Sequence, residues 1–246
     1  MAWSDPIPSP AKRAVTITGR ANRMTVALED NFHHFRLVLD HDGTSVTAIT
    51  AVAVRHPWSL CPLAIRQLDR FVGRPLEVDQ GKIARDIDAT EQCTHLMDLA
   101  VLAMSAAARG VEHRRYDMTA TRLPTRRMSA RLRRDDGMAI DLELNDNRII
   151  SPPEFAGIGI KRGFSQWANN TLPPDLAEAL LLFRRTIFIG GGRRDLDERA
   201  TAAEGARNLG ACFVMQPSRA LRALRMVGST LDFGEGEGPL PATRAT

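Results

Sequence analysis

Cysteine is scarce in this chain: three residues, at positions 61, 93 and 212, among 246. So few thiols exclude a disulfide framework and point to a reducing compartment, with cytoplasmic localisation as the expectation. Lysine is scarcer for its type, occurring only at 12, 82 and 161, so nearly all positive charge is arginine. No uninterrupted apolar run reaches the roughly 18 residues of a membrane span, so no membrane partner is expected. The opening MAWSDPIPSPAKR lacks the apolar stretch of a secretory leader and reads as a loose arm over residues 1–12. There is no Gly-x-Ser-x-Gly elbow and no dinucleotide fingerprint. GGGRR at 190–194 lacks the lysine and hydroxyl residue of a P-loop and reads as a helix-ending linker. The expectation is therefore a chemistry without an organic cofactor.

The basic balance is modest, a net charge of +4 with pI near 9.4. Its densest part is HRRYDMTATRLPTRRMSARLRRDD, residues 113–136, which holds one aromatic, Tyr116, and closes on acids. A nucleic-acid groove interleaves cations with stacking rings. This run does not, so no nucleic-acid partner is expected and the run reads as a solvated strand face.

What the sequence does contain is an alternation of strands and helices. AVTITG (14–19), MTVALED (24–30) and FHHFRLVL (32–39) read as strands, and DHDG at 40–43 supplies a hairpin turn. SVTAITAVAVR (45–55) is apolar on both faces, which predicts a central, covered strand. A helix opened by Pro62 follows, with Cys61 at its cap, a buried stripe of Leu63, Leu68 and Phe71, and Gly73 at its end. CTHLMDLAVLAMSAAARG is a second helix with Cys93 at its start and Gly110 past its end.

From Tyr116 the order repeats: SARLRRDDGMAIDLELND is another Asp-Gly hairpin, and PPDLAEALLLFRRTIF another proline-started helix. The fold class is α+β, antiparallel meanders or hairpins packed with helices. One domain over 13–233 is expected, with pseudo-repeated β-then-α halves at 13–112 and 113–233 as a division within it. A disordered tail is expected over 234–246.

Together these segments resemble a bacterial family known only as domain-of-unknown-function family 2889. The resemblance runs through VALEDNFHHFRLVLDHDG (26–43), RHPWSLCPLAIRQLDRFVGRPL (55–76), CTHLMDLA (93–100), EFAGIGIKRGFSQW (154–167) and CFVMQPSRALRALRMVGSTLDF (212–233). Pro-Trp-x-x-Cys-Pro and Cys-Thr-His-Leu, in that order and spacing, are its most specific pieces. The resemblance implies a bacterial, stand-alone soluble protein. It carries no reaction.

Candidate chemistry therefore comes from the residues. His95 and Asp98 stand three apart, one face of a helix, where a carboxylate can fix a histidine tautomer and leave the other nitrogen as a base. An ordinary polar shoulder behind a Thr94 cap is the competing reading. Strand parity puts His33 with Phe35, Leu37 and Leu39 on the face toward the helices, and His34 with Arg36 on the other. Arg55, at a strand end, can clamp a carboxylate, with Trp58 and Tyr116 beside the substrate, or it can pair with an acid such as Asp30. Cys61 at a helix start can be a nucleophile or a small buried hydrophobe.

The expected function is an enzyme on a small carboxylic or aromatic compound, with His95, Asp98, Cys61 and His33 as catalytic candidates and a lyase step favoured. A thiol or metal-dependent hydrolase and a non-catalytic binding or assembly protein are the alternatives. No metal is expected, because Cys-x-His is not a familiar zinc spacing; the alternative set is Cys61, Cys93, His95 and His56. A two-fold homodimer is the expected assembly.

Overall fold

The computed structural model describes residues 9–190, 195–205, 209–234 and 238–241. Its strands are β1 (Ala11–Arg20), β2 (Arg23–Asp30), β3 (His34–His41), β4 (Val46–Arg55), β5 (His113–Arg122), β6 (Arg127–Arg134), β7 (Ala139–Asn145) and β8 (Arg148–Ser151). The helices are α1 (Gln80–Ala84), α2 (Thr94–Ala108), α3 (Phe164–Thr171), α4 (Pro174–Gly190) and α5 (Pro217–Ala220), joined by short 3₁₀ turns and one longer 3₁₀ helix, Cys61–Phe71. The strand order is β4-β3-β2-β1-β5-β6-β7-β8, and the class is α+β.

Two compact units divide the chain. One holds residues 16–113 and 193–231, the other 1–15, 114–192 and 232–246. The division near residue 113 is where the sequence pattern begins again, but 193–231 returns to the first unit rather than closing the second.

In the first unit β2, β3 and β4 form an antiparallel meander, with Val26 opposite Leu37 and Leu28 opposite Phe35. These residues are fully buried, and α2 packs on β2 and β3. Leu96, Leu99, Leu102 and Met104 of α2 are buried with most of its alanines, the pattern of a core helix rather than a surface one. Each large apolar side chain sealed there stabilises the unit by roughly 1.5–3 kcal/mol. The β3–β4 turn is held by Asp42, whose carboxylate accepts from the Thr44 hydroxyl and from the Thr44 and Ser45 backbone N–H groups. Gly43 at φ 94° and Gly137 at φ 95° in the β6–β7 turn take the left-handed backbone that both Asp-Gly signals require.

Four expectations are corrected. β4 is the end strand rather than a central one, and Val52 and Val54 are 59% and 49% exposed. Apolarity on both its faces reflects small inward alanines, Ala51 and Ala53, and an uncovered outer face. The Pro62 helix is 3₁₀, starts at Cys61 and is capped by Leu60. Its buried positions are Cys61, Ala64, Leu68 and Phe71, and Leu63 turns outward at 50% exposure. Finally, β1 begins at Ala11, inside the arm expected over 1–12; residues 1–8 lie outside the described residues.

In the second unit β5, β6, β7 and β8 are antiparallel in sequence order, and α4 begins at Pro174 as its sequence signals. The basic run is only partly solvated. Arg127 and Arg133 pair with Glu143 and Asp141 on the neighbouring strand, both at the surface. Arg134 is buried and Arg114 nearly so, and both pair with acids of α4. In the tail, the carbonyls of Pro239 and Leu240 accept from Arg115; residues 235–237 and 242–246 of the segment expected to be disordered lie outside the described residues. So does GGGRR beyond Gly190. Among the described residues no helix is long and apolar enough to cross a membrane.

Candidate functional site

The tight turn joining β2 to β3 builds the site. Asp30, the last residue of β2, is fully buried, and its Oδ1 accepts from the backbone N–H of Phe32 at 2.8 Å and of His33 at 2.9 Å. This is an Asx turn, closed by the Asp30 N–H donating to the His33 carbonyl at 2.8 Å. The same Oδ1 lies 3.0 Å from His33 Nδ1. A carboxylate oxygen accepts, so the neutral ring carries its proton on Nδ1 and its lone pair on Nε2. Asp30 orients His33.

His95 enters from the first turn of α2. Its ring centroid lies 3.8 Å from that of His33, tilted by 32°. Phe35 stacks on both rings, at 5.9 Å from His33 and 6.1 Å from His95, and Phe32 meets His33 edge-on at 6.3 Å. The His33 side chain keeps 14% exposure, and His95 is half-buried.

The remaining candidates fall into place around this pair. Arg55 Nη1 donates to the carbonyls of Asn31 and Ser229, and Nη2 to those of Asp30 and His33 and to Glu29 Oε1. Both its terminal nitrogens are spent on the turn that carries His33; the acid it pairs with is Glu29 rather than Asp30. His56 Nδ1 donates to the Trp58 carbonyl at 3.0 Å, and burial lowers its pKa. Trp58 is buried, with the Arg225 guanidinium over its ring at 5.8 Å. Asp98 lies one turn beyond His95 on α2. Tyr116 belongs to the other unit, fully buried and donating to Glu178 at 2.5 Å.

The thiols are set by burial. Cys93 caps α2 as expected; the N–H groups of Leu96 and His95 pull its pKa down without closing a cap hydrogen bond to sulfur. Desolvation wins and pushes the thiol up to about 12. Burial likewise drives Cys61 well above the usual thiol range, with Cys93 adding to it. Iodoacetamide at pH 7.5 should accordingly label Cys212, the half-buried one, first. Cys61 and Cys93 should react only in denaturant, as peptide mass mapping would show. Fast native labelling of Cys61 would restore the thiol-enzyme alternative.

Among the described residues, the metal-capable donors that converge are Asp30, His33 and His95, whose ligand atoms all lie within 4.8 Å of one another. They replace the set Cys61, Cys93, His95 and His56. Sequence reasoning missed Asp30 as a partner of His33, although the signal was present. An aspartate three before a histidine at a strand end is the spacing of an Asx turn.

These features define the class, an α+β protein with an antiparallel meander whose first tight turn presents an aspartate-held histidine to a helix. Residues 13–109 match the family described as Protein of unknown function (DUF2889), and this segment belongs to that family. The matched stretch runs from β1 to the end of α2 and contains Asp30, His33, Arg55 and His95. No curated protein and no solved structure matches the chain.

Proposed function

We propose that this chain is an enzyme that moves a proton on a small, partly apolar carboxylic or aromatic compound, with a lyase-type step favoured and no organic cofactor. The observation that carries the reading is the His33 ring, oriented by buried Asp30 and stacked on His95. In this reading His33 Nε2 accepts the proton, His95 shares it, and Phe32 and Phe35 favour an apolar substrate portion. The family segment carries these residues, and the low thiol count suits a reducing cytoplasm.

Arg55 supports a positioning role in place of a substrate clamp, and the buried thiols weaken the thiol alternative. A non-catalytic binder keeps one argument: Arg55, Trp58 and Cys61 are all built into the structure. A thermal-shift screen of aromatic and aliphatic acids, followed by turnover assays on the hits, separates the two. Asp30→Asn and His33→Gln should each lower turnover by about 10²–10⁴-fold with the fold intact by circular dichroism. Ligand binding without turnover, or turnover indifferent to both changes, would overturn the enzyme reading.

A further inference from the structure

We propose that Asp30, His33 and His95 also form a binding site for a divalent transition-metal ion, and that the ion inhibits the proton-transfer function. The regulatory half rests on the enzyme reading above; the binding half does not. Two ring nitrogens and one carboxylate oxygen suit zinc, cobalt, nickel or ferrous iron better than magnesium or calcium, which prefer oxygen. The three donors come from the end of β2, the turn before β3 and the start of α2, so they meet only in the folded chain. That is why no familiar ligand spacing appears in the sequence.

One of the distances already suits an ion. Asp30 Oδ1 and His33 Nδ1 are 3.0 Å apart. Neighbouring ligands that each lie about 2.0–2.1 Å from one ion stand roughly 3 Å from each other. An ion can therefore replace the proton between Asp30 and His33 with little movement of either. His95 must move more. Sharing an ion would put the two ring centroids about 5 Å apart, against 3.8 Å in the stack. His95 is half-buried in the first turn of α2, so the site requires its ring to turn away from His33. Three protein ligands leave further positions for water. With the ion bound, His33 loses the hydrogen bond that holds its lone pair ready on Nε2, and His95 leaves the stack.

The probe is Co²⁺ added to protein stripped with EDTA, read by visible d–d absorption and by calorimetry. One equivalent should bind, and Zn²⁺ should erase the bands. Asp30→Asn, His33→Gln and His95→Gln should each weaken binding at least ~10-fold, whereas His41→Gln at the far end of β3 should not. Absent bands, or bands that survive all three substitutions, overturn the site. Should those variants misfold, ¹⁵N-histidine spectra of the unmodified protein decide: Zn²⁺ should shift the His33 and His95 resonances and leave His41 and His113 in place, and the reverse would sink the proposal. The cobalt bands need no substrate, so a failed enzyme reading leaves this test intact. Stoichiometric Zn²⁺ should abolish turnover; binding with turnover unchanged or raised would overturn inhibition alone.

Discussion

Replacing Arg55 with methionine should destabilise the protein by about 3–5 kcal/mol, measured as a lower urea midpoint at unchanged slope. The reason is the number of groups that depend on one guanidinium. Its two terminal nitrogens serve the carbonyls of Asn31, Asp30, His33 and Ser229 and the carboxylate of Glu29. The Arg55 and Glu29 side chains are only 15% and 12% exposed, so water cannot fully replace what is lost. The cost is the desolvation of partners left unmet, which exceeds the net worth of the bonds themselves. Methionine keeps much of the stem volume, which separates this loss from a cavity. Arg55→Lys should recover little, because a single ammonium cannot span acceptors on two sides of a planar fork.

A second consequence separates positioning from simple stability. The bonds to the Asn31, Asp30 and His33 carbonyls fix the turn in which Asp30 holds His33. The segment after Ser229 adds to this, since the Leu231 N–H donates to the Asn31 carbonyl at 2.7 Å and the Asn31 side chain donates back to the Leu231 carbonyl at 2.8 Å. Arg55→Met should therefore weaken Co²⁺ binding even well below its melting temperature. A stability loss under about 1 kcal/mol, with cobalt affinity unchanged, would show that the turn holds itself.

Much of the site was legible as parts, and little of it as a constellation. Parity placed His33 on the helix-facing side, and the helix signals placed Cys93 at a start and His95 one residue inside it, because these are local consequences of periodicities near two and 3.6. The Asp30–His33 pair has the same i,i+3 spacing as His95 and Asp98, but it lies across a turn, where no helical periodicity marks it. Arg55 was placed correctly at a strand end, yet its donors turn inward to carbonyls, and backbone acceptors leave no mark in a sequence. The edge position of β4 was hidden for a similar reason. Strand order is a tertiary property, and an apolar strand with small inward residues looks the same covered or bare. The Cys61 helix shows how residue size misleads: its buried face runs through Cys61, Ala64, Leu68 and Phe71, so the small Ala64 and not the larger Leu63 lies in the core.

Glu178→Ala should be the most damaging single change in the unit holding β5 to β8, again by about 3–5 kcal/mol. Glu178 is almost fully buried on α4, accepting from the Tyr116 hydroxyl at 2.5 Å and from Arg114 at 3.0 Å. Burial first, then the Glu178 charge, raises the Tyr116 pKa, which keeps that hydroxyl a donor. Arg114 also meets Asp175 at 2.9 Å, and Arg134 bridges Asp175 and Asp136 at 2.8 and 2.6 Å. Deleting Glu178 leaves Tyr116 without its short acceptor and Arg114 with a single, more exposed acid. The two single changes then rank by charge. Tyr116→Phe removes one neutral donor and should cost only about 1–2 kcal/mol, whereas Glu178→Gln, which keeps the shape but loses the charge opposite Arg114, should fall between that value and the alanine change. Because Glu178 and Tyr116 are out of water, 0.5 M salt should leave the ranking intact, while the exposed Arg127–Glu143 and Arg133–Asp141 pairs should contribute nothing measurable there. A Glu178→Ala protein as stable as its parent would mean that the arginines of residues 113–136 are solvated after all, and that the basic run has no anchor in α4.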